Sequence, residues 1–240
     1  MDYIINLFNI NTTLFTLWDY QMSYIEFFGT IFSIWCVYLT ARAKVLSWPV
    51  GILGTILFLF LFYQIHLYSD MIEQVYFLAT GFLGWWAWTH PRTTAASDEN
   101  KQLKITFNTV KQNILYGVGV LVGTLILTFI VTHLDNWLPR YFPVEASFAF
   151  IDALTTVMSF LAQYLLIRKK VENWVLWIII DVIGIWLYYQ KGVKFISMEY
   201  ILFLGIASYG LWGWIKQLRK DKVNDAQINV QSHEQETIQI

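Results

Sequence analysis

Asp181 stands in the middle of an apolar run, Glu172 to Gln190 (ENWVLWIIIDVIGIWLYYQ), with no basic residue within two helical turns of it. A charged side chain at mid-membrane depth costs at least about 2.5 kcal/mol, and acids found there face a cavity or mark a solute pathway. Trp174, Trp177 and Asp181 fall at i, i+3 and i+7, with Gly184 and Tyr188 continuing the line. At 3.6 residues per turn these five share one helix face. That face carries two indoles, a carboxylate, a small gap and a phenol. Aromatic faces attract cations, and a desolvated contact contributes about 2 kcal/mol. Three roles for Asp181 compete: a structural hydrogen-bonder, a proton relay, or a counter-charge for a cationic or hydroxyl-bearing solute. The depth of the acid favours a functional role over a scaffolding one.

The elements that must position this face are membrane helices. The chain of 240 residues is 57% hydrophobic and only 14% charged, with a mean hydropathy of +0.48. Soluble domains carry about a quarter charged residues. Apolar runs long enough to cross a hydrocarbon core cover approximately 24–41, 46–63, 71–88, 113–132, 147–167, 172–189 and 197–214. The pattern predicts an all-α membrane protein of seven transmembrane helices. Residues 1–23 hold no Lys or Arg; they do not resemble a signal peptide and predict a short helix lying at the interface. Residues 217–240 predict a polar, disordered cytoplasmic tail.

A repeat lies beneath the hydropathy. An offset of 126 places RAKVLSW (Arg42–Trp48) over RKKVENW (Arg168–Trp174), Tyr63-Gln64 over Tyr189-Gln190, and GWWAW (Gly84–Trp88) over GLWGW (Gly210–Trp214). Without a gap, 19 of 64 pairs from 25/151 to 88/214 are identical. Shared composition does not align a loop arginine, a loop lysine and a Tyr-Gln pair together, so the pattern reads as a duplication. Three spans per copy would invert the second copy, and the span at 113–132 restores its orientation. The predicted architecture is therefore 3+1+3: a first bundle over 24–88, a loop and linking helix over 89–146, and a second bundle over 147–216. Two parallel three-helix repeats of this kind are SWEET-like, and such transporters bind substrate between the halves. Gly119 and Gly123 in the linking span form a G-x-x-x-G pair; this suits either intramolecular packing or a contact between subunits.

Positive charge sets the orientation. Alternate connections hold 13 of the 16 Lys and Arg, while the opposite side holds Arg140, Lys191 and Lys194. The positive-inside rule then places the amino terminus outside and the carboxyl terminus in the cytoplasm.

Further polar and aromatic positions complete the candidate site. Thr55 is the repeat position of Asp181, and Trp48 that of Trp174; Gln74, Tyr188 and Glu199 also lie in or at the ends of spans. Glu26 and Asp152 begin spans on the outer side, where an acid complements the helix dipole. The Trp-rich ends at Trp85, Trp86, Trp88, Trp212 and Trp214 fit an interfacial aromatic belt. One cysteine, Cys36, excludes a disulfide framework or thiolate metal site. His66, His90, His133 and His233 fall in loops or the tail, so neither a metal nor a cofactor is implied and no enzyme site gathers in the spans. No G-x-x-x-x-G-K-[ST] loop is present, so this chain does not hydrolyse ATP. Nothing points to nucleic acid.

The stretches KVENWVLWIIIDVIGIWLYYQKG and WPVGILGTILFLFLFYQIHLYSDMIEQVYFLATGFLGWWAW resemble the PnuC family of bacterial vitamin transporters, over about residues 24–216. The family motif W-x-x-W-x-x-x-N/D is matched by Trp174, Trp177 and Asp181. The resemblance implies a pocket between the bundles in which Trp174, Trp177, Asp181 and Gln74 match the family's binding elements. It also implies a homotrimer in the bacterial inner membrane and facilitated diffusion, with a cytoplasmic kinase trapping the solute by phosphorylation. Nicotinamide riboside is the expected substrate. Thiamine, which also holds a positively charged heteroaromatic ring, is the alternative, and proton-coupled transport through Asp181 is the alternative mechanism.

Overall fold

The computed structural model describes residues 8–17, 20–65, 67–90, 103–137, 148–192 and 194–238. Seven helices follow a short hairpin. They are α1 (Tyr24–Ala41), α2 (Ser47–Gln64), α3 (Tyr68–Thr89), α4 (Val110–Trp137), α5 (Ala149–Ile167), α6 (Glu172–Gln190) and α7 (Lys194–Ile238). Each covers one of the expected spans to within two residues. All but α3 are long and apolar enough to cross a membrane. At 22 residues and about 1.5 Å per residue, α3 has the length, but Asp70, Glu73 and Gln74 lower its hydropathy. Those three residues line an internal cavity.

The amino-terminal expectation is corrected in part. Residues 1–7 lie outside the described residues, but Thr13–Leu17 (β1) and Tyr20–Ser23 (β2) pair as an antiparallel hairpin rather than a helix. Two Thr, two Leu and a Phe in TLFTL suit a pleated, half-covered surface better than a helix. The hairpin leads directly into α1: Ser23 Oγ accepts from the Glu26 N–H at 3.3 Å, the first half of a capping box. Gln64, the last residue of α2, accepts from the Ile10 N–H at 3.0 Å and donates to the Phe8 carbonyl at 2.8 Å. At the other terminus the backbone continues as helix to Ile238, beyond the expected end of structure near residue 217. Lys, Gln, Glu and Ala are good helix formers once a turn exists to extend. His133 is likewise inside α4 rather than in a loop.

The two sequence copies have the same local geometry. α1 and α5 end on Arg42 and Arg168, whose guanidinium groups lie 5.5 and 4.9 Å from the Tyr38 and Tyr164 rings. The next residue in each copy is left-handed, Ala43 at φ 52° and Lys169 at φ 49°, a conformation non-glycine residues seldom adopt. Burial pushes the Lys169 amine down to about 8, and its Nζ sits 4.4 Å from the Trp88 ring. Trp48 and Trp174 then open α2 and α6. Each packs edge-on against a second indole, Trp88 at 5.3 Å and Trp214 at 5.6 Å.

Those second indoles correct the aromatic-belt reading for two positions. Trp85, Trp86 and Trp212 are exposed, as a belt requires, but Trp88 and Trp214 are 3% and 1% exposed. Trp88 Nε1 donates to the Ile167 carbonyl at 3.1 Å and Trp214 Nε1 to the Thr40 carbonyl at 3.2 Å. These carbonyls belong to the last turns of α5 and α1, and the Thr40 carbonyl also accepts from the Ala43 N–H at 2.8 Å. The bonds join α3 to α5 and α7 to α1, and the same helix pairs pack together. Residues 103–109 seal this end. Thr106 N–H donates to the Lys169 carbonyl at 3.1 Å and the Val171 N–H to Thr106 at 3.0 Å, with Ile105 buried in the indole cluster.

Two glycines make room for the indoles. A Cβ on Gly84 would stand 2.1 Å from the Trp48 ring, and one on Gly210 would stand 2.7 Å from Trp174. Neither ring is a flexible end that can step aside. Gly84→Ala and Gly210→Ala should each destabilise the protein by about 1–3 kcal/mol, the usual cost of overpacking. Thermal unfolding in detergent micelles should show this as a lower midpoint, whereas Gly117→Ala, with nothing within 4 Å, should leave it unchanged.

Candidate functional site

The helices enclose a cavity of about 240 Å³, close to the lower end of the size range of small-ligand sites. Trp174, Trp177 and Asp181 reach it from one face of α6, as their spacing predicts. Trp48 and Thr55 come from α2, Gln74 from α3, Glu199 from α7, and Tyr188 from the far end of α6. All eight expected positions therefore line one chamber, although they are spread over 152 positions of sequence from Trp48 to Glu199.

Several of their polar atoms have no hydrogen-bond partner among the described residues. They are Asp181 Oδ2, Glu199 Oε1 and the Nε1 atoms of Trp48 and Trp174. Asp181 is 3% exposed and Glu199 4%. Buried polar groups are nearly always paired, and these four donors and acceptors are left free around one cavity. Trp177 is only half-buried, its ring 6.2 Å from Phe77, and presents an indole to the chamber. The asymmetry between the copies lies in this chamber too. Thr55 faces it where the second copy has Asp181, and Gly51 where the second copy has Trp177.

Sequence reasoning missed part of the wall. Asp70 lines the cavity and accepts a hydrogen bond from the Tyr188 hydroxyl. Because α3 begins three residues earlier than the expected span, Asp70 is inside the helix and not in the preceding loop. Its signal was present: Asp70, Glu73, Gln74, Phe77 and Gly81 recur at helical spacing and all line the cavity. Tyr200, the repeat partner of Gln74, stacks on Tyr188 at 5.2 Å. Its ring occupies the gap predicted at Gly184, where a Cβ would come within 2.6 Å of it. Gln163 also lines the chamber and donates to Thr80 Oγ1 at 3.4 Å. Asp152 pairs with Lys191 at 2.7 Å, so its role at the start of α5 is an ion pair as well as a dipole partner. No cluster of three or more metal-ligating side chains occurs among the described residues.

A bundle of apolar helices around an aromatic, partly anionic chamber defines a multi-pass membrane protein that handles a small polar solute. Residues 23–216 match the model of the nicotinamide mononucleotide transporter family, and the chain belongs to that family. It is a membrane transporter. The nicotinamide riboside transporter PnuC of Escherichia coli (strain K12) is 30% identical over 216 residues, with 84% of this chain and 89% of the relative covered. The riboflavin/roseoflavin transporter RibM of Streptomyces davaonensis is 23% identical over 212 residues, covering 88% and 94%. A crystal structure described as that of the vitamin B3 transporter PnuC shares the fold, with a TM-score of 0.65 at 22% identity, covering 91% of this chain and 87% of the other.

Gly184→Ala tests how tightly the chamber is built. The added methyl group must displace the Tyr200 ring and with it Tyr188, so solute binding should weaken at least several-fold while the helical circular-dichroism signal is retained. Unchanged affinity would show that the stack does not shape the chamber.

Proposed function

We propose that the protein takes up nicotinamide riboside by facilitated diffusion. The observation that carries this reading is the free Asp181 Oδ2 on the face that also brings Trp174 and Trp177 to the cavity. A pyridinium ring stacked on indole gains cation–π energy, about 2 kcal/mol where water is excluded. The carboxylate balances its charge in a medium that screens poorly. Glu199, Gln74, Thr55, Trp48 and Tyr188 supply polar and aromatic groups for the remainder of the molecule. The E. coli relative, named as a nicotinamide riboside transporter, supports the same substrate over thiamine.

The transport unit in this reading is a 3+1+3 arrangement of seven spans. It is supported by α1, α2 and α3 packing in sequence, α5, α6 and α7 doing the same, and the reciprocal contacts α1 to α7 and α3 to α5. The linking helix α4 packs on α5 and is otherwise largely uncovered. Gly123 meets Val157 of α5 with a Cβ distance of 3.1 Å, while Gly119 has open space around it. That division favours an intramolecular role for Gly123 and a subunit contact at Gly119, in a homotrimer of the bacterial inner membrane. The amino terminus is outside and the carboxyl terminus cytoplasmic, as the distribution of Lys and Arg argues. Net uptake follows from a cytoplasmic kinase that phosphorylates the arriving riboside.

Isothermal titration of the purified protein with nicotinamide riboside and thiamine tests the substrate. The riboside should bind more tightly. Asp181→Ala should abolish measurable binding, and Trp177→Ala should weaken it by about 2 kcal/mol. Tighter binding of thiamine, or wild-type affinity in the Asp181 variant, overturns the assignment. Uptake into proteoliposomes should also be indifferent to an imposed pH gradient. Acceleration by that gradient would convert the mechanism to proton coupling.

A further inference from the structure

The cavity has a ceiling made by four residues: Phe62, Asp70, Tyr188 and Ile196. Phe62 and Tyr188 lie in the last turn of α2 and α6, and Asp70 and Ile196 in the first turn of α3 and α7. All four therefore sit at one end of the bundle, opposite the indole pairs. They are two symmetry-related pairs, since an offset of 126 converts Phe62 into Tyr188 and Asp70 into Ile196. Each pair spans the seam between the two repeats. On one side, Phe62 and Ile196 offer only apolar groups, in a cluster that also takes in the Tyr188 ring. On the other, the Tyr188 hydroxyl donates to Asp70 across 118 positions of sequence.

The two sides of the seam therefore close by different physics. The apolar pair is non-directional and tolerates sliding. The hydroxyl–carboxylate bond is directional and holds one geometry. Tyr188 is braced for this contact, stacked on Tyr200 at 5.2 Å with Lys191 Nζ 5.2 Å from its ring. A second, smaller cavity also borders this contact, and Asp70, Glu73, Asp152, Tyr188 and Tyr200 are among the residues lining it. Tyr188 and Asp70 thus stand in the wall between the solute chamber and a space bordered by Lys191, through its bond to Asp152.

We propose that Asp70 is the positioning residue of an outer latch: by accepting from Tyr188 across the seam it holds the outer end of the chamber shut, and solute entry requires that bond to break. The latch rests on the orientation given above, which makes this end the outer one, and is independent of which vitamin is carried.

Cys36, the sole cysteine of the chain, lines the same chamber and reports its accessibility. The full-length protein in oriented membrane vesicles is treated with 2-(trimethylammonium)ethyl methanethiosulfonate from one face at a time, with Cys36→Ser as the blank. Asp70→Leu, which keeps a similar volume but offers no acceptor to Tyr188, should raise the rate of Cys36 modification from the outer face by roughly three- to tenfold, the shift expected on losing one hydrogen bond of ordinary net strength. Tyr188→Phe, which removes a single oxygen, should do the same, and the double variant should go no further than either single. Rates equal to wild type in both variants, or additive effects, overturn the latch. Acceleration from the opposite face alone upholds the latch and overturns the orientation.

Discussion

The structure depends on seating an indole in the space where a glycine lacks a side chain. Trp48 over Gly84 and Trp174 over Gly210 set how closely the second and third helices of each repeat approach. In lipid, the hydrophobic effect does not drive helices together, so close packing and hydrogen bonds must. The indole provides both: a large rigid surface and, from its neighbour in each pair, an N–H for a helix-end carbonyl of the other repeat. Because the motif occurs twice, it fastens both seams at one end of the bundle. The same two tryptophans face the cavity, so the residues that fix helix spacing also form part of the solute wall.

The chamber is lined by aromatic and aliphatic side chains with a few unpaired polar atoms. In such surroundings each electrostatic contact is stronger than in water, and each unmet one is costlier. That is a sensible construction for a site that must recognise a solute and then release it. The repeat supplies symmetry, and the chamber lining departs from it: Asp181 against Thr55, Trp177 against Gly51, Tyr200 against Gln74. The ceiling departs from it again, with a polar contact on one seam and an apolar one on the other.

Much of this was legible in the sequence. Each predicted span is a helix, and the offset of 126 recurs in left-handed Ala43 and Lys169 and in both indole seats. The face Trp174–Trp177–Asp181 reaches the cavity as its spacing requires. The departures have separate causes. Hydropathy does not tell a lipid-facing indole from a core one, so Trp88 and Trp214 read as interfacial. Short apolar stretches carry ambiguous periodicity, which hides the pairing of Thr13–Leu17 with Tyr20–Ser23. A helix start shifted by three residues moves Asp70 from loop to wall.

The sequence by itself determined the local and periodic properties: where the chain turns apolar for about 20 residues, that it does so twice in the same pattern, and which side chains share a helix face. These depend on residues near one another along the chain. Only the tertiary structure decided which faces meet, that Tyr188 finds Asp70, that Trp88 and Trp214 turn inward, and that eight scattered residues surround one cavity. Those outcomes depend on how helices pack against each other. Inside a membrane the apolar surface that contacts lipid and the surface that contacts protein have the same composition, so no single helix encodes the difference.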